Sequence, residues 1–224
     1  MRNLLLISLI ILAAFAATSA LTPHAATLEV GEGYEYQNIT SAINDANDGD
    51  VIIVHQGTYN ETLTIYAKHN LTITGAPGES VTINPSGSYS TPVTIIKVSG
   101  ESTQITIKNL RIVDSVTNIE EEVIPIEIGR LSSATLQNLV IRTGSDSTSD
   151  AIRITSAPVN ITNLTIIGTS ALECGVYVSH EDDIGSTNKV TIANSTIMNV
   201  EKGIYVISDD GFGNIKVINT RSLT

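Results

Sequence analysis

Ile105-Thr-Ile-Lys-Asn109-Leu-Arg-Ile112 returns as Ala134-Thr-Leu-Gln-Asn138-Leu-Val-Ile141, Val159-Asn-Ile-Thr-Asn163-Leu-Thr-Ile166 and Val190-Thr-Ile-Ala-Asn194-Ser-Thr-Ile197, then, shortened, as Ile215-Lys-Val-Ile-Asn219. The asparagines stand 29, 25, 31 and 25 residues apart. A repeat of this length built from alternating apolar residues is the mark of stacked coils, each burying its apolar face against its neighbours. Within each phrase apolar side chains lie two before the Asn and one and three after it. That spacing predicts two short strands meeting at a bend with their apolar faces inward.

A second alternating segment accompanies the phrase: Pro125-Ile-Glu-Ile-Gly129, Ala151-Ile-Arg-Ile-Thr155, Gly175-Val-Tyr-Val-Ser179 and Gly203-Ile-Tyr-Val-Ile207. Each coil therefore has about three strands, and the chain reads as an all-β, parallel β-helix. Parallel strands of successive coils lie about 4.8 Å apart, so equivalent residues stack in columns. Stacked asparagine amides, each with donors and an acceptor, can bond to one another and hold the bends. Their expected role is structural.

The chain opens Met1-Arg-Asn, runs apolar from Leu4 to Ala17 and continues Thr18-Ser-Ala20. A positive start, a short apolar core and a small-residue cleavage pattern predict a secretory signal peptide within residues 1–26, cut after Ala20 or Ala26. A membrane span needs about 20 apolar residues, so none is expected in the mature chain. Residues 27–224 are expected to form one β-helix domain in a secreted or cell-surface protein. Formal charge is −11. Loss of Arg2 with the signal makes it −12, and no Lys/Arg cluster interrupts the acidic background. Nucleic acid is thereby excluded as a partner, and the same repulsion opposes polyuronic acids unless a divalent cation bridges them. Cys174 is the single cysteine, expected to be a buried, unreactive thiol.

Between Gln37 and Asn47, Ile39, Ala42, Ile43 and Ala46 recur at helical spacing. A short amphipathic helix there would cover the open first coil, whose unpaired edges otherwise invite aggregation. Asp48-Gly-Asp50 ends it, and Val51-Ile-Ile-Val54 begins the first buried strand.

The succession Tyr36-Gln-Asn-Ile-Thr-Ser-Ala-Ile-Asn-Asp-Ala46, Gly49-Asp-Val-Ile-Ile-Val54, Gly57-Thr-Tyr-Asn-Glu61 and Asn70-Leu-Thr-Ile-Thr-Gly75 resembles the start of pectin lyase-like right-handed β-helix proteins. That superfamily holds pectinesterases, polysaccharide lyases and many secreted or surface-layer repeat proteins. The resemblance implies a right-handed coil from about Tyr34 onward, extended by the repeats. One coil departs from it, with Lys68 where an inward residue belongs. The superfamily's catalytic signatures (Asp-Phe-Ile-Phe-Gly, Asn-Thr-Asp, Gly-His-Gly) are absent, and Gly57-Thr-Tyr-Asn-Glu61 belongs to the scaffold.

Aligning the second strands puts Glu127, Arg153, Tyr177 and Tyr205 in one outward column, with Lys97 preceding. Tyrosine rings pack on the apolar faces of sugars while charged neighbours bond hydroxyls, so this column is the candidate carbohydrate-binding stripe. The same column would also stabilise the sheet through cross-strand contacts of roughly 0.2–1 kcal/mol each. His180-Glu-Asp-Asp183 and Asp209-Asp210 form acidic loops. They are expected to be solvated, with Ca²⁺ or acid/base chemistry as alternatives, so no cofactor is assigned. Asn219-Thr-Arg-Ser-Leu-Thr224 shows no closing cap, which predicts self-association through the open C-terminal coil or a longer parent chain. The reading is a β-helix that binds polysaccharide or cell-envelope glycan, or is a structural module of the envelope. The alternative is a polysaccharide lyase or carbohydrate esterase using Asp182/Asp183 and Asp209/Asp210.

Overall fold

The computed structural model describes residues 25–89, 92–101, 103–117, 122–144, 149–169, 172–180, 189–208 and 214–223. The expected signal peptide as far as residue 24, Glu181, the pair Asp182/Asp183 and the pair Asp209/Asp210 lie outside the described residues.

Alternation of β-branched and polar residues produces strands, and every strand pair is parallel. The chain is a parallel β-solenoid of about six turns. One long sheet runs Thr27–Val30, Val51–Val54, Leu71–Gly75, Gln104–Val113, Ser133–Arg142, Val159–Ile167, Lys189–Ala193 and Asn214–Ile218. A second sheet has six strands, Leu63–Tyr66, Val93–Ser99, Val123–Ile128, Asp150–Thr155, Cys174–His180 and Lys202–Ser208. A short pair, Ser86–Ser88 with Ser115–Thr117, lies outside both.

Between the sheets the inward residues stack one per coil. Ile52, Ile73, Ile107, Leu136, Ile161, Ile192 and Val217 form one such column in strict register. All but the last are buried. The main apolar core runs through the coils and joins both sheets, and a small separate cluster gathers Val93, Val116 and Val123.

The phrase bends at its asparagine. Asn109, Asn138, Asn163, Asn194 and Asn219 all have left-handed φ between 46° and 59°. Asparagine tolerates this region better than other residues with a Cβ, which explains why the bend position repeats the residue type. The amides also ladder: Asn138 Nδ2 donates to Asn109 Oδ1 at 2.9 Å, Asn163 Nδ2 to Asn138 Oδ1 at 2.9 Å, and Asn219 Nδ2 to Asn194 Oδ1 at 3.3 Å.

The predicted cap is a helix, Ile39–Asp45, capped by the Asn38 side chain, which accepts from Ser41 N at 2.8 Å. Its stripe of Ile39, Ala42 and Ile43 is buried against the first coils, with Ala46 just beyond its end. Glu61 seals the start of the helix, accepting from Ile39 N at 2.8 Å, Thr40 N at 2.9 Å and the Thr40 hydroxyl at 2.5 Å. The Gly57–Glu61 motif is thus tied to the scaffold. Lys68 has a reason for its position, because its ammonium donates to the Ala46 carbonyl just past the helix.

The far end differs. Val206, Ile207, Val217, Ile218 and Leu223 are 36–53% exposed. No described residue stacks beyond this coil.

Candidate functional site

The six-stranded sheet carries the candidate site on its outer face. Its inward residues, Ile126/Ile128, Ile152/Ile154 and Val176/Val178, are fully buried, which fixes the residues between them outward. Register pairs Thr64 with Lys97, Lys97 with Glu127, Glu127 with Arg153, Arg153 with Tyr177, and Tyr177 with Tyr205. The stripe expected from the sequence therefore exists as one column. Five inter-strand steps give it a length of about 24 Å.

Its charged members are held by protein partners. Lys97 Nζ lies 3.3 Å from Glu127 Oε1, and the Thr94 hydroxyl donates to Glu127 Oε2 at 3.1 Å. Arg153 spans two carboxylates. Its Nη1 donates to Glu122 Oε2 at 2.7 Å and its Nη2 to Glu122 Oε1, while Nε and Nη2 donate to Asp150 Oδ2 at 2.8 and 2.6 Å. The Ser149 hydroxyl also donates to Glu122. Sequence reasoning missed Glu122 and Asp150 because both sit where a loop enters a strand, outside the alternating segments. Lys202, bonded to Glu173 at 2.9 Å, stands over the Tyr205 ring at 4.7 Å.

Environment separates the two carboxylates beside Arg153. The guanidinium holds Glu122 below the ordinary carboxylate range. Burial pushes the Asp150 carboxyl up, against the opposing pull of Arg153. Asp150 also takes a hydrogen bond from the Cys174 thiol, one coil along. Burial, reinforced by Asp150, pushes that thiol up to about 12, and Cys174 is buried as expected.

The aromatic members are freer. The Tyr177 and Tyr205 rings lie 6.0 Å apart, tilted by 47°, and Tyr205 is 38% exposed. The Arg153 guanidinium approaches Tyr177 at 5.8 Å. At the other end of the column a hollow of about 350 Å³ opens between Thr62, Thr64, Tyr89, Pro92, Thr94 and Lys97. Tyr89, partly buried, packs against Val93, Val116 and Val123 and gives that hollow an aromatic wall. Tyr89 follows the short strand Ser86–Ser88 and belongs to no repeated phrase, so the sequence gives no signal for it.

The acidic loops proposed as a metal or catalytic alternative fall outside the described residues, apart from His180. Among the described residues, no group of three or more His, Cys, Asp and Glu is placed to hold a metal ion. No helix among them is long and apolar enough to cross a membrane.

No protein-family model matches the chain, and no curated protein matches it. Among solved structures it is similar to a pectin methylesterase from Aspergillus niger, at 14% identity over 88% of this chain and 85% of that one, TM-score 0.48. It is also similar to pectin methylesterase from Yersinia enterocolitica, at 12% identity over 84% and 90%, TM-score 0.44. Pectin methylesterase from carrot aligns at 14% identity over 92% and 84%, TM-score 0.39. Superpositions this loose carry no argument about activity. What places the chain among parallel β-helices is its own set of parallel ladders and its stacked asparagine bends.

Proposed function

We propose that this is a secreted or cell-surface β-helix protein that binds extended carbohydrate along the outer face of its six-stranded sheet, without catalysis. One observation carries the reading: Thr64, Lys97, Glu127, Arg153, Tyr177 and Tyr205 stand in register along one face, with an aromatic-walled hollow at one end and a tyrosine pair at the other. Rings supply flat apolar contact for sugar faces, and threonine hydroxyls with a lysine supply bonds to sugar hydroxyls. Arg153 and Glu127 act mainly by holding the face rigid. The N-terminal pattern Met1–Ala20 supports export.

A second reading, a carbohydrate esterase, rests on Glu122 and Asp150. Both carboxylates are bonded to the one Arg153 guanidinium, and their proton affinities are pushed in opposite directions, Glu122 down by Arg153 and Asp150 up by burial. Depletion of the chain by soluble and insoluble polysaccharides, measured together with release of alcohol, acid or new sugar ends, separates the two. Binding without products supports recognition. Products that vanish in Asp150→Asn and Glu122→Gln support the esterase.

A further inference from the structure

Resting on the carbohydrate-binding reading, we infer that this face selects uncharged glycan and rejects polyanionic glycan, because every cation it presents is already matched by a carboxylate of the protein. The six strands carry three Lys or Arg side chains among the described residues, Lys97, Arg153 and Lys202. Each has an acidic partner: Glu127 for Lys97, Glu122 and Asp150 for Arg153, Glu173 for Lys202. Three cations face four carboxylates, a balance of minus one on a chain of net charge −11.

The pairing geometry makes the balance matter. The Arg153 fork is occupied at Nε, Nη1 and Nη2. An incoming carboxylate would have to displace Glu122 or Asp150 and leave it unpaired in a partly buried setting, where losing a partner costs more than the new contact returns. Lys97 and Lys202 are more exposed, yet each sits beside its own acid, so an anionic chain meets a nearby negative charge at both. A neutral chain pays none of this. It meets the Tyr89, Tyr177 and Tyr205 rings and the hydroxyls of Thr62, Thr64 and Thr94.

The test uses matched polymer pairs: cellulose, xylan, mannan, a β-1,3-glucan and methyl-esterified polygalacturonan, each beside its carboxymethylated or saponified form, at 0.01 M salt and again at 1 M. The expected result is binding to at least one neutral polymer and about tenfold weaker binding to its anionic form at low salt. The gap should narrow at 1 M, where the screening length falls from about 30 Å to about 3 Å. Glu127→Gln, which frees Lys97 while keeping an acceptor for Thr94, should raise the ratio of anionic-form to neutral-form affinity several-fold. Equal or tighter binding of the anionic form overturns the selectivity and leaves carbohydrate binding standing. Absence of binding to every polymer in both forms overturns carbohydrate binding itself, and the selectivity with it.

Discussion

Asn163 donates its amide to Asn138 across one coil at 2.9 Å, and both residues hold their backbones in the left-handed region, at φ of 54° and 53°. One residue type thus makes the bend and bonds it to the next bend. Sequence repetition, local conformation and stacking are the same fact seen at three scales.

Replacing Asn138 tests that coupling. Asn138→Ala loses a bond to each neighbour, at Asn109 and Asn163, and places a Cβ residue of poorer left-handed tolerance at the bend. A loss of about 2–3 kcal/mol is expected in chemical denaturation. Asn138→Gly should recover the conformational part only, leaving a deficit of about 1–2 kcal/mol.

Arg153→Ala should cost about 2–4 kcal/mol of stability, because it strands Asp150, whose side chain is 5% exposed, and Glu122, which is 34% exposed and therefore better solvated. Thermal unfolding checks this. Little change in Tm would mean that the carboxylates re-solvate freely and that the cluster is not a brace.

The same cluster gives the acid limb a sign. Glu122 has its folded pKa lowered, so its contribution is present above the unfolded carboxylate value of about 4.3 and is lost as pH falls through the lower folded value. Asp150 has its folded pKa raised, so its contribution is present below about 3.9 and is lost as pH rises through the raised value. Glu122→Gln should therefore flatten the fall in stability below about pH 4, whereas Asp150→Asn should steepen it. Tm measured from pH 2.5 to 7 reads both.

The proposed export signal is expected to be cut after Ala20. Ala26 N donates to the buried Asp50 carboxylate at 2.7 Å, and the Ala26 carbonyl accepts from Val51 N at 2.9 Å. Cutting after Ala26 would remove both bonds. The mature protein should begin at Leu21 in N-terminal sequencing, and a Thr27 start would contradict the structural role of Ala26.

How far the sequence could be read follows from what repeats. The inward columns, the bends and the outward stripe recur coil after coil, so alternation alone places Glu127, Arg153, Tyr177 and Tyr205 on one face. The cap helix was legible from four apolar residues at helical spacing. Glu122, Asp150 and Tyr89 were not, because they occur once each, at loop edges, and gain their roles from neighbours one coil away. Lys68 looked like an exception and is explained only by the distant carbonyl it reaches at Ala46. Periodicity reveals what a fold repeats, and pairing across coils reveals how single residues are used.

The tyrosine end of the six-stranded sheet is the proposed sugar-holding surface. The direct measurement is the affinity of the best-bound neutral polysaccharide for the wild-type chain and for the Tyr177→Ala/Tyr205→Ala double variant, with matched Tm controls. A loss of about tenfold or more, equivalent to about 1.4 kcal/mol or more, is expected with the fold intact. Unchanged affinity in a folded double variant would contradict it and leave the two rings as braces between neighbouring strands.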